Sequence, residues 1–332
     1  MRRLIVILLI GAAFWSGYWY VGKSAKYLAL NAWLESRREA GWTAEYTDFR
    51  VVGFPNRFDS RFTDLHLMSP ETGLGWQAPR FHILALSYKP NHIIAAFADS
   101  QMVSFPGENV TILSRDMLAS VVFEPDTNLA IDRIQLAALD FALDSDQGWQ
   151  AQAGSLSFST RQNDGTDLAH DVVFDAKKIT PTQEIRATLD PKHSLPATIE
   201  TMFLDLKLDF DAPWDRIALE TGAPDVTKIV VNNMKMAWGV LSLSASGDLD
   251  VAQDGIVSGK LNLKILNWRG VLDLTVTSGL IDRATADKIA TGLTLLTLGS
   301  DNPDSLSIPL TLDGGRMSLG PIPLGFAPRF IR

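Results

Sequence analysis

Leu204-Asp205-Leu206-Lys207-Leu208-Asp209-Phe210-Asp211 alternates an apolar with a charged side chain at every step. A repeat of two belongs to the extended strand, where successive side chains leave opposite faces, so this segment gives a sheet one oily and one wet face. Val257, Leu261, Leu263 and Ile265 interleave with Ser258, Lys260, Asn262 and Lys264 in the same way. On neighbouring strands such positions merge into one non-aqueous surface. Its wall is expected from Leu204, Leu206, Leu208, Phe210, Leu241, Leu243, Leu261, Leu263 and Ile265, as lining rather than reactive residues. Each serves equally well as plain sheet core. The carboxylates at 205, 209 and 211 invite a metal or paired-acid reading, but residues two apart on a strand stand about 6.6 Å apart and face water. Lys207 among them completes a solvated face.

Toward the N terminus the same period recurs in short pieces. Trp42, Ala44 and Tyr46 alternate with Thr43, Glu45 and Thr47 until Gly53-Phe54-Pro55-Asn56 turns the chain. Strands are expected at 61–68, 80–88, 92–97, 101–105, 109–114 and 117–123, between the breakers Pro70, Gly73, Pro90-Asn91, Pro106-Gly107 and Pro125. Such spacing describes an antiparallel meander, because parallel crossovers need about a dozen residues or more. Gly75-Trp76-Gln77-Ala78, Gly148-Trp149-Gln150-Ala151 and Ala237-Trp238-Gly239 each lead into an alternating segment, a weak repeat expected to mark a recurring hairpin.

Toward the C terminus, 213–221 fits two helical turns, with Pro213 early and Gly222 just past the end. A longer helix is expected over 281–298, with Ile289, Leu293 and Leu296 on one stripe, while 271–278 fits strand or helix. Asp313-Gly314-Gly315 between 305–312 and 316–319 is a hairpin signal. Pro309 implies an edge position or a bulge for the first of those strands.

At the other end of the chain, Arg2-Arg3 precedes a run from Leu4 to Val21 that no charge interrupts. At about 1.5 Å per helical residue the run nearly crosses a hydrocarbon layer of roughly 30 Å. Arg2 and Arg3 hold its start in the cytoplasm, and Trp15, Tyr18, Trp19 and Tyr20 form an aromatic belt at the far interface. A cleaved signal peptide shares the basic start and apolar core, with Gly11-Ala12-Ala13 as its cleavage site. Cutting there leaves a very short core and an aromatic-rich terminus, so an uncleaved anchor is favoured. Residues 24–40 continue as an amphipathic stalk whose stripe of Tyr27, Leu30 and Leu34 packs on the domain, and Gly41 ends it. The expected organisation is a transmembrane signal-anchor helix over 1–22, a stalk helix over 23–41 and an extracytoplasmic β-rich domain over 42–332. The inner (cytoplasmic) membrane holds residues 4–21, and the bulk of the chain lies in the periplasm.

The 332 residues are 46% hydrophobic and 20% charged, which is the composition of a folded chain. The net charge of −8, without a cluster of Lys or Arg after the anchor, argues against a nucleic-acid partner. With no cysteine, disulfides, thiolate zinc sites and cysteine nucleophiles are excluded. His66, His82, His92, His170 and His193 form no H-E-x-x-H spacing, although His66 and His82 are placed to meet across adjacent strands. Neither a G-x-S-x-G elbow nor a phosphate-binding G-x-x-x-x-G-K-[ST] loop occurs. No enzymatic activity, cofactor or metal is expected. Phe54-Pro55 beside Arg57 and Arg61 suits an anionic head group near the membrane, and equally a tight turn with ordinary surface arginines.

The motifs Gly41-Trp42, Gly53-Phe54-Pro55-Asn56-Arg57-Phe58, Leu65-His66-Leu67, Trp76-Gln77-Ala78-Pro79 and Lys89-Pro90-Asn91-His92-Ile93 resemble a family of uncharacterised single-pass envelope proteins described mainly from alphaproteobacteria, domain of unknown function family 2125. The closing stretch from Leu312 to Gly325 is similar in style to the last strands of the wider AsmA-like group. That resemblance implies a mainly β fold: a long curved antiparallel sheet bent into a groove, behind an N-terminal transmembrane helix and with a few C-terminal helices. It also implies a role in lipid traffic or envelope maintenance.

Two function classes follow. In one, acyl chains of a lipid or another apolar ligand enter the groove. In the other, the protein is a non-catalytic scaffold whose groove is closed by its own helices and whose strand edges take an envelope protein by strand addition. Whether 281–298 fills the apolar face separates them.

Overall fold

The computed structural model describes residues 1–279, 281–297 and 302–330, and at 219–221 and 296 the backbone alone. The chain is mainly β, with 51% of its residues in 17 strands of one antiparallel sheet, an N-terminal helix and a few helices toward the C terminus. By its internal contacts it divides into two compact units, Met1–Pro125 with Leu136–Gly148, and Asp126–Gln135 with Trp149–Arg332.

The first unit begins with α1 (Arg2–Glu39), the one helix among the described residues long and apolar enough to cross a membrane. Anchor and stalk are therefore a single helix. It stops as expected at Gly41, whose φ of 83° lets the amides of Gly41 and Trp42 bond back to the carbonyls of Arg38 and Arg37. The strands are β1 (Thr43–Glu45), β2 (Asp48–Val52), β3 (Asp59–Met68), β4 (Gly75–Leu86), β5 (Lys89–Ala96), β6 (Ser100–Phe105) and β7 (Glu108–Phe123). From Trp19 onward α1 packs on β1 and β2, and its Trp19 and Leu34 are buried in one cluster with Ala44, Phe49, Val51, Phe62 and Leu65. Tyr27 stacks on Phe49 at 5.0 Å, and Phe49 on Phe62 at 4.3 Å. Rings this close add to the free energy of area burial, so the helix is part of the core.

The segments 109–114 and 117–123 prove to be one strand, bent at Asp116 with φ 53°. Strand β7 pairs with β6 through its first half and with β5 through its second, so two short neighbours share one long partner. His66 faces Gln77 and His82 faces Arg61 across β3 and β4, five positions apart, so the two histidines do not meet.

β8 (Ile131–Ser145) passes through the division, and the second unit continues with β9 (Gln150–Gln162), β10 (Ala169–Thr180), α2 (Gln183–Leu189), β11 (Ile199–Phe210), α3 (Arg216–Thr221) and β12 (Val226–Trp238). Then come β13 (Leu241–Val251), β14 (Val257–Leu266), α4 (Trp268–Thr277), α5 (Arg283–Thr297), β15 (Ser305–Asp313), β16 (Arg316–Leu319) and β17 (Ile322–Phe326). From β9 to β17 each strand pairs antiparallel with the next.

Segment 271–278 is helical, with Asn267 as its cap: the side-chain oxygen accepts from the Gly270 amide at 3.3 Å. The helix expected over 281–298 is α5; Leu298 and the Leu296 side chain lie outside the described residues. The 305–319 hairpin forms, and both turn glycines take positive φ, 53° at Gly314 and 75° at Gly315. Pro309 does not mark an edge, because β15 pairs with both β14 and β16; it lies one residue beyond the last β15–β16 partner, Leu310. The tryptophan motif is not a repeated hairpin: Trp76 lies inside β4, Trp149 precedes β9 and Trp238 ends β12.

Candidate functional site

Residues directly opposite each other on paired strands project from the same face. Following the register, Phe158, Phe174, Leu204, Met234, Ala245, Leu263 and Ile308 form one continuous row from β9 to β15. Val172, Leu206, Val231, Gly247, Leu261 and Leu310 form the next. A third comprises Leu156, Ala176, Met202, Met236, Leu243, Ile265 and Leu306. With strands about 4.8 Å apart, a seven-strand row is about 29 Å wide. An apolar face of that extent is what the alternation at 204–211 and 257–265 requires. The opposite face is polar, as expected: Lys207 lies 3.4 Å from Asp209, and Asn232 donates to Asp205 at 3.0 Å.

Cover on this face is uneven. Helices α4 and α5 bury Ile265, Leu306 and Ile308 under Trp268, Ile289 and Leu293, with Leu243 and Leu263 packed beside them. Leu241 is buried with Leu195, Ile199 and Trp238 under Val271 and Leu274 of α4. At the far end of the strands, Val251, Val257 and Leu312 pack with Ala327. Phe210 is buried edge-on to His170 and Trp214, with ring centroids at 6.0 and 5.7 Å. Leu204, Leu206, Leu208 and Leu261 of the expected wall are half-buried, like Phe158, Val172 and Phe174 on the neighbouring strands. Val172 and Phe174 are not legible as lining, because Val172-Val173-Phe174 is a continuous apolar run that hides which side chain faces where; Phe158 is signalled by the plain alternation Leu156-Ser157-Phe158-Ser159.

A cavity of about 520 Å³ opens where α4 meets the turn after α2. Leu195, Leu241 and Leu274 give it an apolar base, and Lys192, Asp273 and Arg283 line it with charge. That turn is built by Asp190, which is fully buried. Its carboxylate accepts from the Ser194 amide at 2.9 Å, the Ser194 hydroxyl at 2.7 Å and the Leu195 amide at 2.8 Å. Burial alone would raise the Asp190 pKa, but the Leu195 and Ser194 bonds, with His193 nearby, hold it below the ordinary value of 3.8. Asp190→Ala strands the buried Leu195 amide and the part-buried Ser194 amide, so denaturant unfolding at neutral pH is expected to show a loss of about 1–3 kcal/mol. A lowered carboxylate pKa stabilises the fold above the unfolded value, and that contribution is lost as pH falls through the folded one. The gap between Asp190→Ala and the parent should therefore narrow as pH is taken below 3.8.

A helix apolar and long enough to cross a bilayer, continuous with a large antiparallel β body, is consistent with a membrane-anchored β protein. The chain belongs to the family described as uncharacterised proteins conserved in bacteria, DUF2125, whose family model matches residues 19–328. The matched span opens at Trp19, the first buried residue of α1. Neither curated proteins nor solved structures gave a match.

Proposed function

We propose that the protein is held in the inner membrane by residues 4–21, with its β units in the periplasm, and that it carries lipid or another apolar ligand in envelope maintenance or lipid traffic, as AsmA-like proteins are thought to do. The observation behind this reading is the unequal cover of one apolar face: α4 and α5 pack on Ile265, Leu306 and Ile308, whereas the half-buried Leu204, Leu206, Leu208 and Leu261 on the same face belong to neither cluster those helices form. Aliphatic side chains aligned over several strands without a protein lid suit acyl chains and offer nothing to a polar ligand. No residue is assigned a catalytic role.

The full-length protein, gently extracted and examined by native mass spectrometry, should retain lipid. Leu206→Asp should lose that lipid and keep its unfolding transition, whereas Leu263→Asp, beside α5, should unfold the second unit. Lipid-free parent protein, or unfolding of Leu206→Asp as severe as that of Leu263→Asp, would overturn the reading. The scaffold reading has one observation of its own: among the described pairings β17 bonds only to β16, and Phe326 on it is 86% exposed, as a site of strand addition would be.

A further inference from the structure

The turn at residues 53–58 and the turn at 86–89 lie against α1. Phe54 is 57% exposed and Tyr88 60%, with Pro55 exposed beside them. A turn facing water leaves its carbonyls to solvent, but here those of Gly53, Pro55, Asn56, Arg57, Phe58 and Ser87 are bonded within the protein. The Gly53 carbonyl accepts from the Arg57 amide, and that of Asn56 from the Ser87 amide. Helix α1 supplies the other donors: Trp15 Nε1 to the Pro55 carbonyl at 3.0 Å, Tyr18 Oη to Ser87 at 2.6 Å, Trp19 Nε1 to Arg57 at 2.8 Å and Lys26 Nζ to Phe58 at 2.6 Å. Gly22 leaves room on the same helix face for the Phe58 ring. The Arg57 guanidinium is paired with Asp59 at 2.9 Å. Internally bonded backbone, a neutralised charge and outward aromatic rings are what a lipid interface demands of non-helical chain.

Depth along α1 agrees. Trp15 lies six residues before Val21, so its indole, and the Pro55 carbonyl it holds, sit about 9 Å inside the end of the apolar run. Measured from Leu4, Trp15 is only about 17 Å along a helix that must cross roughly 30 Å of hydrocarbon. We infer that the 53–58 and 86–89 turns are inserted into the outer leaflet beside α1, with Phe54, Pro55 and Tyr88 among the lipids, so that the first unit rests on the bilayer. Lys89, exposed next to Tyr88, then reaches the phosphates. This rests on the reading that α1 spans a membrane.

The absence of cysteine permits single-site labelling of the full chain. Phe54→Cys, Tyr88→Cys, Leu8→Cys in the apolar run and Glu71→Cys at the opposite end of β3 would each carry an environment-sensitive fluorophore, in vesicles of phosphatidylethanolamine and phosphatidylglycerol. All four positions are exposed, so the fold should tolerate the labels. The expected result is a blue-shifted emission at 8, 54 and 88, quenched several times more strongly by nitroxide-bearing lipid than at 71, where aqueous iodide quenches instead. Labels at 54 and 88 that behave like 71 while 8 stays in lipid would sink the insertion and leave the anchor standing. An aqueous label at 8 as well would remove both.

Discussion

Trp268→Ala is expected to destabilise the second unit by about 3–5 kcal/mol, the range for deleting a large aromatic from a packed core. Trp268 is 2% exposed and stands at the start of α4 among Ile265, Ile289, Leu293, Leu306 and Ile308. Its indole donates to the Pro303 carbonyl at 3.0 Å, and the Arg269 guanidinium lies 4.2 Å from the ring centre while also reaching Asp304 at 3.1 Å. Truncation therefore removes apolar volume, a hydrogen bond and a cation–π contact together. Trp268→Phe keeps most of the volume and should lose clearly less. Denaturant unfolding followed by circular dichroism measures both. Because α4 and α5 lie over Leu263 and Ile265, the alanine variant should also bind more of an apolar dye before it unfolds; unchanged dye binding would mean that the helices stay seated without this ring.

Gly247→Val and Gly259→Val should be comparably damaging. Both glycines adopt φ 145° and flank the Asp248–Lys260 pair, Gly247 opposite Leu261 and Gly259 opposite Leu249. A Cβ at Gly247 would overlap the Lys260 carbonyl oxygen, and one at Gly259 the Asp248 carbonyl oxygen. Neither obstacle is a side chain that swings aside. Strain of about 1–3 kcal/mol and overpacking of about 1–3 kcal/mol give an expected loss of about 2–6 kcal/mol for either change. The two sites share one patch of β13–β14 backbone, so the double variant should lose less than the sum of the singles. Additive losses would show that the strands yield independently at each glycine.

The alternation at 204–211 and 257–265, the Gly314-Gly315 hairpin and the Gly41 stop were readable because each depends on neighbours in sequence. Where distant chain decides, the reading failed. Strand β12 is not legible, since the bulge at Asn232-Asn233 shifts its apolar phase: Ile229 and Val231 precede it, and Met234 and Met236 resume one residue out of step with a simple alternation. Val271, Thr275, Val276 and Thr277 are β-formers by propensity, yet packing with α5 and the Asn267 cap make that segment helical. The nine proposed wall residues do share a sheet face or its margin, but which of them a helix covers depends on where α4 and α5 settle. Trp15, Tyr18 and Trp19 read from sequence as an aromatic belt; that they donate to carbonyls 38 to 69 residues away is not legible, because no local spacing encodes it.

The unbroken passage of α1 from its apolar run into the ring stack of Tyr27, Phe49 and Phe62 has a consequence for turnover. Many anchored ectodomains are shed when a protease nicks a loose juxtamembrane tether. Here that stretch is helical and wedged against strands, so a nick that discards residues before Gly41 also takes Leu34 and Trp19 out of the fold. Release and unfolding of the first unit are thus one event, and a free, intact fragment beginning at β1 should not accumulate.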